Sequence, residues 1–207
     1  MPANTTDVNG NNQNNSALGD LPEWNLSDLY IAEDDPELKK DLDWLRKACS
    51  KFSEDYQGKL DKLGAIGLLD AVERYQDIEV VAGKVMSFAG LRHYQVTTDS
   101  QRTKFMSDMQ DKVTKLTTPL VFYGLEFNRI SGDRIASLLN EDSGLARYKP
   151  VFDRMRAMKP YQLSDELEKF LHDQSVVGAS AWNRLFDETI ASLTFQIKGE
   201  ELPLEAA

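Results

Sequence analysis

The sequence has few residues of the kinds that bind metals or form covalent intermediates. Among its 207 residues there is one cysteine, Cys49, and there are two histidines, His93 and His172. One cysteine excludes an intrachain disulfide and any cysteine-rich zinc site, and it fits a reducing compartment. Zinc hydrolysis on a helix needs two imidazoles four residues apart with a Glu after the first. Here the histidines lie 79 positions apart and neither is followed by Glu. Long apolar runs are missing too. None approaches the roughly 18 residues of a membrane-spanning helix, and the first twenty residues lack the basic and apolar regions of an export signal. The N-x-S/T sequons beginning at Asn4, Asn14 and Asn25 therefore read as by-products of an Asn-rich start. Basic residues are scarce: 24 Lys and Arg face 34 Asp and Glu, a formal charge of −10 that repels nucleic acid and anionic lipid. These absences predict a cytoplasmic protein with neither a nucleic-acid nor a membrane partner.

What is present is ordinary globular material, 41% hydrophobic and 28% charged. Residues 1–20 contain six Asn and almost nothing large and apolar, so they are expected to form a disordered tail. Leu21 to Tyr30 is rich in both apolar anchors and turn formers and reads as an extended leading segment laid on the body. From Asp35 and Pro36 the spacing of Leu38, Leu42, Leu45, Cys49, Phe52 and Tyr56 predicts a helix. A second and unusually long helix, about 66–93, carries Leu68, Val72, Tyr75, Ile78, Ala82, Val85 and Ala89. A third stripe runs through Phe105, Met109, Val113, Leu116, Leu120, Tyr123 and Phe127, and Pro119 predicts a kink or a break within it.

Shorter helices are expected around 134–139, 145–158, 164–175 and 179–193. A short strand follows over 194–199, and then Leu202 to Ala207 as the first turn of a further helix, which reads as the start of something unfinished and predicts that the final helices expose apolar surface a missing lobe would cover. The short connections favour antiparallel neighbours. The fold class is therefore all-α: three long antiparallel helices in a bundle continued by shorter ones.

The side chains with chemical potential each have a structural account. Cys49 sits in an apolar seam, whereas a nucleophilic thiol needs a His partner and a depressed pKa. His93 and His172 fit helix termini or partly buried structural positions. Gly64-Ala65-Ile66-Gly67 lacks the strand and spacing of a phosphate cradle and reads as a helix-start turn. The acidic pairs Asp34-Asp35, Glu141-Asp142 and Glu200-Glu201 fall at element ends, where capping and solvation explain them. Arg154, Arg156 and Lys159 form a small basic cluster on an exposed face. Trp44, Trp182 and Phe186 are expected to pack against neighbouring helices. No catalytic, cofactor-binding or metal residue is assigned.

Two strings carry more than periodicity. Leu21-Pro22-Glu23-Trp24-Asn25-Leu26-Ser27-Asp28-Leu29-Tyr30, followed by Asp34-Asp35-Pro36, resembles the opening of oligoendopeptidase F and its relatives in the thimet-type zinc oligopeptidase superfamily. The run Gln162 to Asp173, continuing through Gly178, Ser180-Ala181-Trp182 and Arg184 to Thr189, resembles a signature stretch of that family's amino-terminal lobe. Smaller echoes occur at Ala89-Gly90-Leu91, Leu145 to Tyr148 and Gly199 to Leu202.

The resemblance implies a helical lobe over 21–193 and, in 194–207, the start of a connection to a catalytic lobe absent from this sequence. It implies zinc in the full-length enzyme, short peptides as substrates, and a lobe that narrows access to the cleft. It carries no zinc ligand or catalytic base onto this chain, which lacks the His-Glu-x-x-His motif. The chain alone is expected to be inactive. A free-standing helical binding or scaffold protein, shaped like that lobe, is the alternative.

Overall fold

The computed structural model describes residues 24–204. The expected tail over 1–20 lies outside them, as do Leu21 to Glu23 of the leading segment and residues 205–207. Three long helices form the body: α1 (Pro36–Tyr56), α2 (Ala65–Gln95) and α3 (Ser100–Thr117).

Helix α1 begins at Pro36 because Asp35 caps it. Its Oδ1 accepts from the Glu37 amide at 2.8 Å and its Oδ2 from Ile31 at 2.8 Å. Gln57 ends the helix and Gly58, at φ +75°, turns the chain. Asp99 caps α3 in the same way, accepting from the amides of Gln101 and Arg102.

The ties between α1 and α2 run in opposite chain directions. Tyr56 bonds Asp70 and Asp55 bonds Arg74 at one end, while Asp41 bonds Lys84 at the other. Phe88 on Phe105 and His93 on Thr103 set α2 against α3 likewise. The bundle is antiparallel as the short connections predict.

Every α1 stripe residue except the partly buried Leu42 is buried, and Phe52 has no exposed surface. Phe52 meets Tyr56, Tyr75, Phe122 and Tyr123 at centroid distances of 4.8 to 5.9 Å, and Tyr75 stacks on Tyr123 at 4.5 Å. Pro119 breaks the third stripe rather than kinking it. A single 3₁₀ turn, Thr118–Leu120, separates α3 from α4 (Phe122–Arg129). The leading segment corrects the extended reading, because Leu26 accepts from the amides of Leu29 and Tyr30 and folds it into a turn.

The shorter helices are α5 (Gly132–Glu141), α6 (Ser143–Ala146), α7 (Lys149–Ala157), α8 (Asp165–Gln174) and α9 (Ala179–Ser192). The expected single helix over 145–158 is thus two. Pro150 cannot donate within a continuing helix but suits the first turn of α7. The strand expected at 194–199 is β1 (Thr194–Ile197), and it pairs antiparallel with β2 (Glu200–Pro203). This overturns the helical turn expected at Leu202. Lys198 and Gly199, at φ +54° and +89°, form a two-residue hairpin turn that returns the chain alongside β1.

Candidate docking surface

The groups weighed for chemistry in the sequence sit in structural roles. Cys49 is buried, and burial with the nearby Glu79 carboxylate pushes its thiol up to about 11, the opposite of an activated nucleophile. His93 is buried against the Thr103 hydroxyl at 3.2 Å. His172, on α8, approaches the Thr117 hydroxyl and the Thr114 carbonyl at 3.3 Å. Asp35 is the α1 cap, and hydrogen bonds from the Ile31 and Glu37 amides hold its carboxyl below the usual carboxylate range. Asp142 caps α6 through the Leu145 amide, and Glu201 accepts from Thr194 across the hairpin. Asp34 and Glu200 are exposed. Of the basic cluster, Arg156 donates to the Ile130 carbonyl at 2.8 Å, while Arg154 and Lys159 stay exposed and are not gathered into a site. Gly64 stands at the amino end of α2, its carbonyl accepting from Leu68.

Zinc, which the resemblance implies, does not fit the residues present. Among the described residues no group of three or more His, Cys, Asp or Glu is placed to hold a metal ion. No described helix is long and apolar enough to cross a membrane.

The feature that stands out is apolar and lies at the carboxy end. Ser164 caps α8, with three carboxylates in the first turn, and Leu163, Leu167, Phe170 and Leu171 line its outer face. The turn into α9 is tight at Gly178, where a Cβ would stand 3.1 Å from the Gln174 carbonyl oxygen. Helix α9 then carries Trp182, Leu185 and Phe186. Trp182 is 71% exposed, Phe186 65% and Phe170 57%.

The hairpin continues the surface. Its register sets Phe195 opposite Leu202 and Ile197 opposite Glu200, so Phe195, Ile197 and Leu202 share one face. Trp182 and Phe186 therefore correct the packing expectation: no described helix covers them. Half-exposed Trp44 meets it no better.

Polar bonds, rather than burial, tie this region to the body. Thr118 donates to Asp173 at 2.5 Å, Arg129 pairs with Asp165, and Arg184 reaches the Ser107 hydroxyl at 3.3 Å across a 560 Å³ cleft between α3 and α9. Sequence reading located the aromatic positions. The apolar surface expected on the final helices is there: α8 and α9 both carry large side chains that none of the described residues covers. Monomeric proteins rarely expose contiguous apolar surface of this kind unless it is used in an interaction.

Residues 126–195, which include α8, α9 and the start of β1, match the family model described as oligopeptidase F. The plasmid-encoded oligoendopeptidase F of Lactococcus lactis subsp. cremoris is 27% identical over 155 residues, covering 73% of this chain and 25% of that protein. The oligoendopeptidase F homolog of Lactococcus lactis subsp. lactis is 26% identical over 159 residues, 77% of this chain and 26% of its own. The group B oligopeptidase PepB of Streptococcus agalactiae is 27% identical over 141 residues, 66% and 24%. This chain therefore spans about a quarter of the length of the curated relatives it matches. In fold it is similar to the crystal structure of oligoendopeptidase-F from Enterococcus faecium, with a TM-score of 0.70 and 21% identity, covering 84% of this chain and 33% of that one. What the helical bundle, its apolar carboxy-end face and these likenesses together identify is a chain similar to the amino-terminal portion of oligoendopeptidase F.

Proposed function

We propose that this chain is the non-catalytic helical lobe of a cytoplasmic, zinc-dependent oligoendopeptidase acting on short peptides, and that the face of α8, α9 and the hairpin docks the part of the enzyme that holds the metal. Residues 24–193 form the lobe, and 194–204 begin its connection to the catalytic part. One observation carries the reading. The exposed aromatic and leucine side chains of α8 and α9, among them Phe170, Trp182, Leu185 and Phe186, fall in the stretch that matches the family model, and the matched relatives are about four times longer. In this reading the lobe binds, shields and narrows. It supplies no proton transfer and no metal ligand: the groups weighed for chemistry sit in caps, in the core or exposed and apart, and no metal-binding group is gathered among the described residues.

The test is the endogenous product, detected with an antibody against residues 160–190. A product several hundred residues larger that cleaves short peptides, and stops when zinc is chelated, is the expected result. A product of 23.4 kDa whose cellular fractions yield no co-purifying peptidase overturns the reading.

A further inference from the structure

The hairpin has two long edges, and they are not equivalent. Its two-residue turn sets Ile197 opposite Glu200, and in such a hairpin the closing pair exchange their N–H and C=O groups with each other. Alternation makes Phe195 and Leu202 the next bonded pair. The main-chain groups of Thr194, Gln196, Glu201 and Pro203 then point away from the partner strand. On β2 the outward row includes Pro203, which has no N–H to give, so that edge is blocked. On β1 the outward row is Thr194 and Gln196, each with a free donor and a free acceptor. Neither makes a backbone hydrogen bond outside the hairpin among the described residues. Two strands alone are marginal in water, and a third is the usual remedy.

We propose that the β1 edge takes up an extended basic peptide by strand addition, giving the lobe a substrate-holding edge of its own. This inference rests on the peptidase reading above and adds a place for the peptide. Pairing through main-chain groups is nearly blind to side chains, which suits an enzyme for many short peptides. Folded proteins, whose strands are already paired, have no such strand to add. Charge sets the preference: within the hairpin, residues 194–203, Glu200 and Glu201 outnumber the single basic residue, Lys198. Lysine or arginine on the added strand would meet this field, and apolar residues at alternate positions would extend the face begun by Phe195 and Ile197.

The experiment titrates the ¹⁵N-labelled 207-residue chain with a blocked pentapeptide of alternating Lys and Val. Amide shifts and slowed hydrogen exchange are expected at Thr194 and Gln196. Methylating the peptide amides along one edge leaves binding, because the other edge can pair. Methylating both edges should weaken binding at least about tenfold, since every main-chain donor is lost. A Glu-Val peptide of the same length should bind more weakly than the Lys-Val peptide. Gln196→Pro removes an outward donor without removing a ladder bond and should abolish the effect, while Gln196→Ala, which keeps that main-chain donor, should leave it. Cross-strand contacts between Phe195 and Leu202 report whether each variant keeps its hairpin.

Shifts confined to α8 and α9, affinity indifferent to methylation, or concentration-dependent shifts at Thr194 and Gln196 without peptide, which would mean a second copy on the edge, each overturn the proposal. In the longer product the two readings fail separately. Absence of peptide cleavage overturns the peptidase reading, whereas cleavage with a KM unchanged by Gln196→Pro overturns the strand-addition site alone.

Discussion

The chain before Asp153 and the chain after Phe152 are built from similar amphipathic helices, yet every buried side chain among the described residues lies between Tyr30 and Phe152. Helices α8 and α9 carry Leu, Phe and Trp at helical spacing just as α1 does, and none of those side chains is buried. The difference is therefore not one of propensity or pattern but of what stands opposite. In the body each stripe meets another stripe. In α8 and α9 the caps and the bonds to Thr118, Arg129 and Ser107 hold the helices in place while no surface among the described residues covers the apolar face. Amphipathic spacing reports which face requires cover, and says nothing of where the cover comes from.

Side-chain truncation gives the largest expected contrast. Phe52→Ala removes a ring that touches four other aromatic rings and should cost about 3–5 kcal/mol in urea unfolding. Phe186→Ala, at an exposed position of comparable size, should stay within about 0.5 kcal/mol in this chain. Equal costs would mean that the carboxy-end face is covered in solution, and the two-region description would fail.

Hydrogen exchange sharpens the same contrast without mutation. Helices of ten and fourteen residues are marginal on their own, so amides of α8 and α9 should open with free energies at least about 2 kcal/mol below those in the middle of α2. Cys49 offers a chemical version of the measurement. Its thiol is buried and raised to about 11, so alkylation at pH 8 should proceed only as fast as the body unfolds globally. Rapid labelling of the folded chain would place a local opening in α1, where the packing argues against one.

Which parts were legible in the sequence follows from the same physics. The stripes of α1 and α2, the cap at Asp35 and the break at Pro119 rest on local rules of spacing, capping and the missing proline donor, and they stand as read. The division at Pro150 was missed because an apolar period continues across it from Leu145 to Phe152, and both side chains are buried. The helix read at Leu202 failed because Pro203 suits a helix start as well as a strand edge. The deciding signal, Lys198-Gly199 as a two-residue turn, is a weaker hairpin sequence than Asn-Gly. Trp182 and Phe186 were read as packed since periodicity cannot distinguish a buried face from one awaiting a partner. The unfinished carboxy end did signal uncovered apolar surface on the final helices, but not that Trp182 and Phe186 belong to it.

Within the body, the smaller expected effects separate packing from polar ties. The Tyr30 hydroxyl donates to Asp41 at 2.6 Å, and Lys84 bonds the same carboxylate at 2.9 Å while lying 4.2 Å from the Tyr30 ring centre. Burial, then the bond to Asp41, pushes the Tyr30 hydroxyl well above its ordinary value, so it stays a donor at any working pH. Tyr30→Phe keeps the ring and leaves Asp41 paired with Lys84, and it should cost about 1 kcal/mol in urea unfolding. A loss of several kcal/mol would mean that the leading segment is fastened chiefly by this bond rather than by the burial of its ring.

The smallest effect concerns acid. Backbone hydrogen bonds at the starts of α1 and α3 hold Asp35 and Asp99 below the ordinary carboxylate value of 3.8. A folded-state value below the unfolded one means that the unfolded chain binds the proton first. The stability these caps contribute is therefore complete above that ordinary value and disappears as pH falls through the lower folded values. In Asp35→Asn, which can still cap but cannot titrate, the fall in the urea midpoint between pH 5 and pH 2 should be shallower than in the parent chain. Because the caps belong to the body, the difference should appear in the global midpoint. If it appeared instead only as early exchange in α8 and α9 with an unchanged midpoint, the Asp35 cap would be acting on the carboxy-end region and not on the body, contrary to the division drawn from burial.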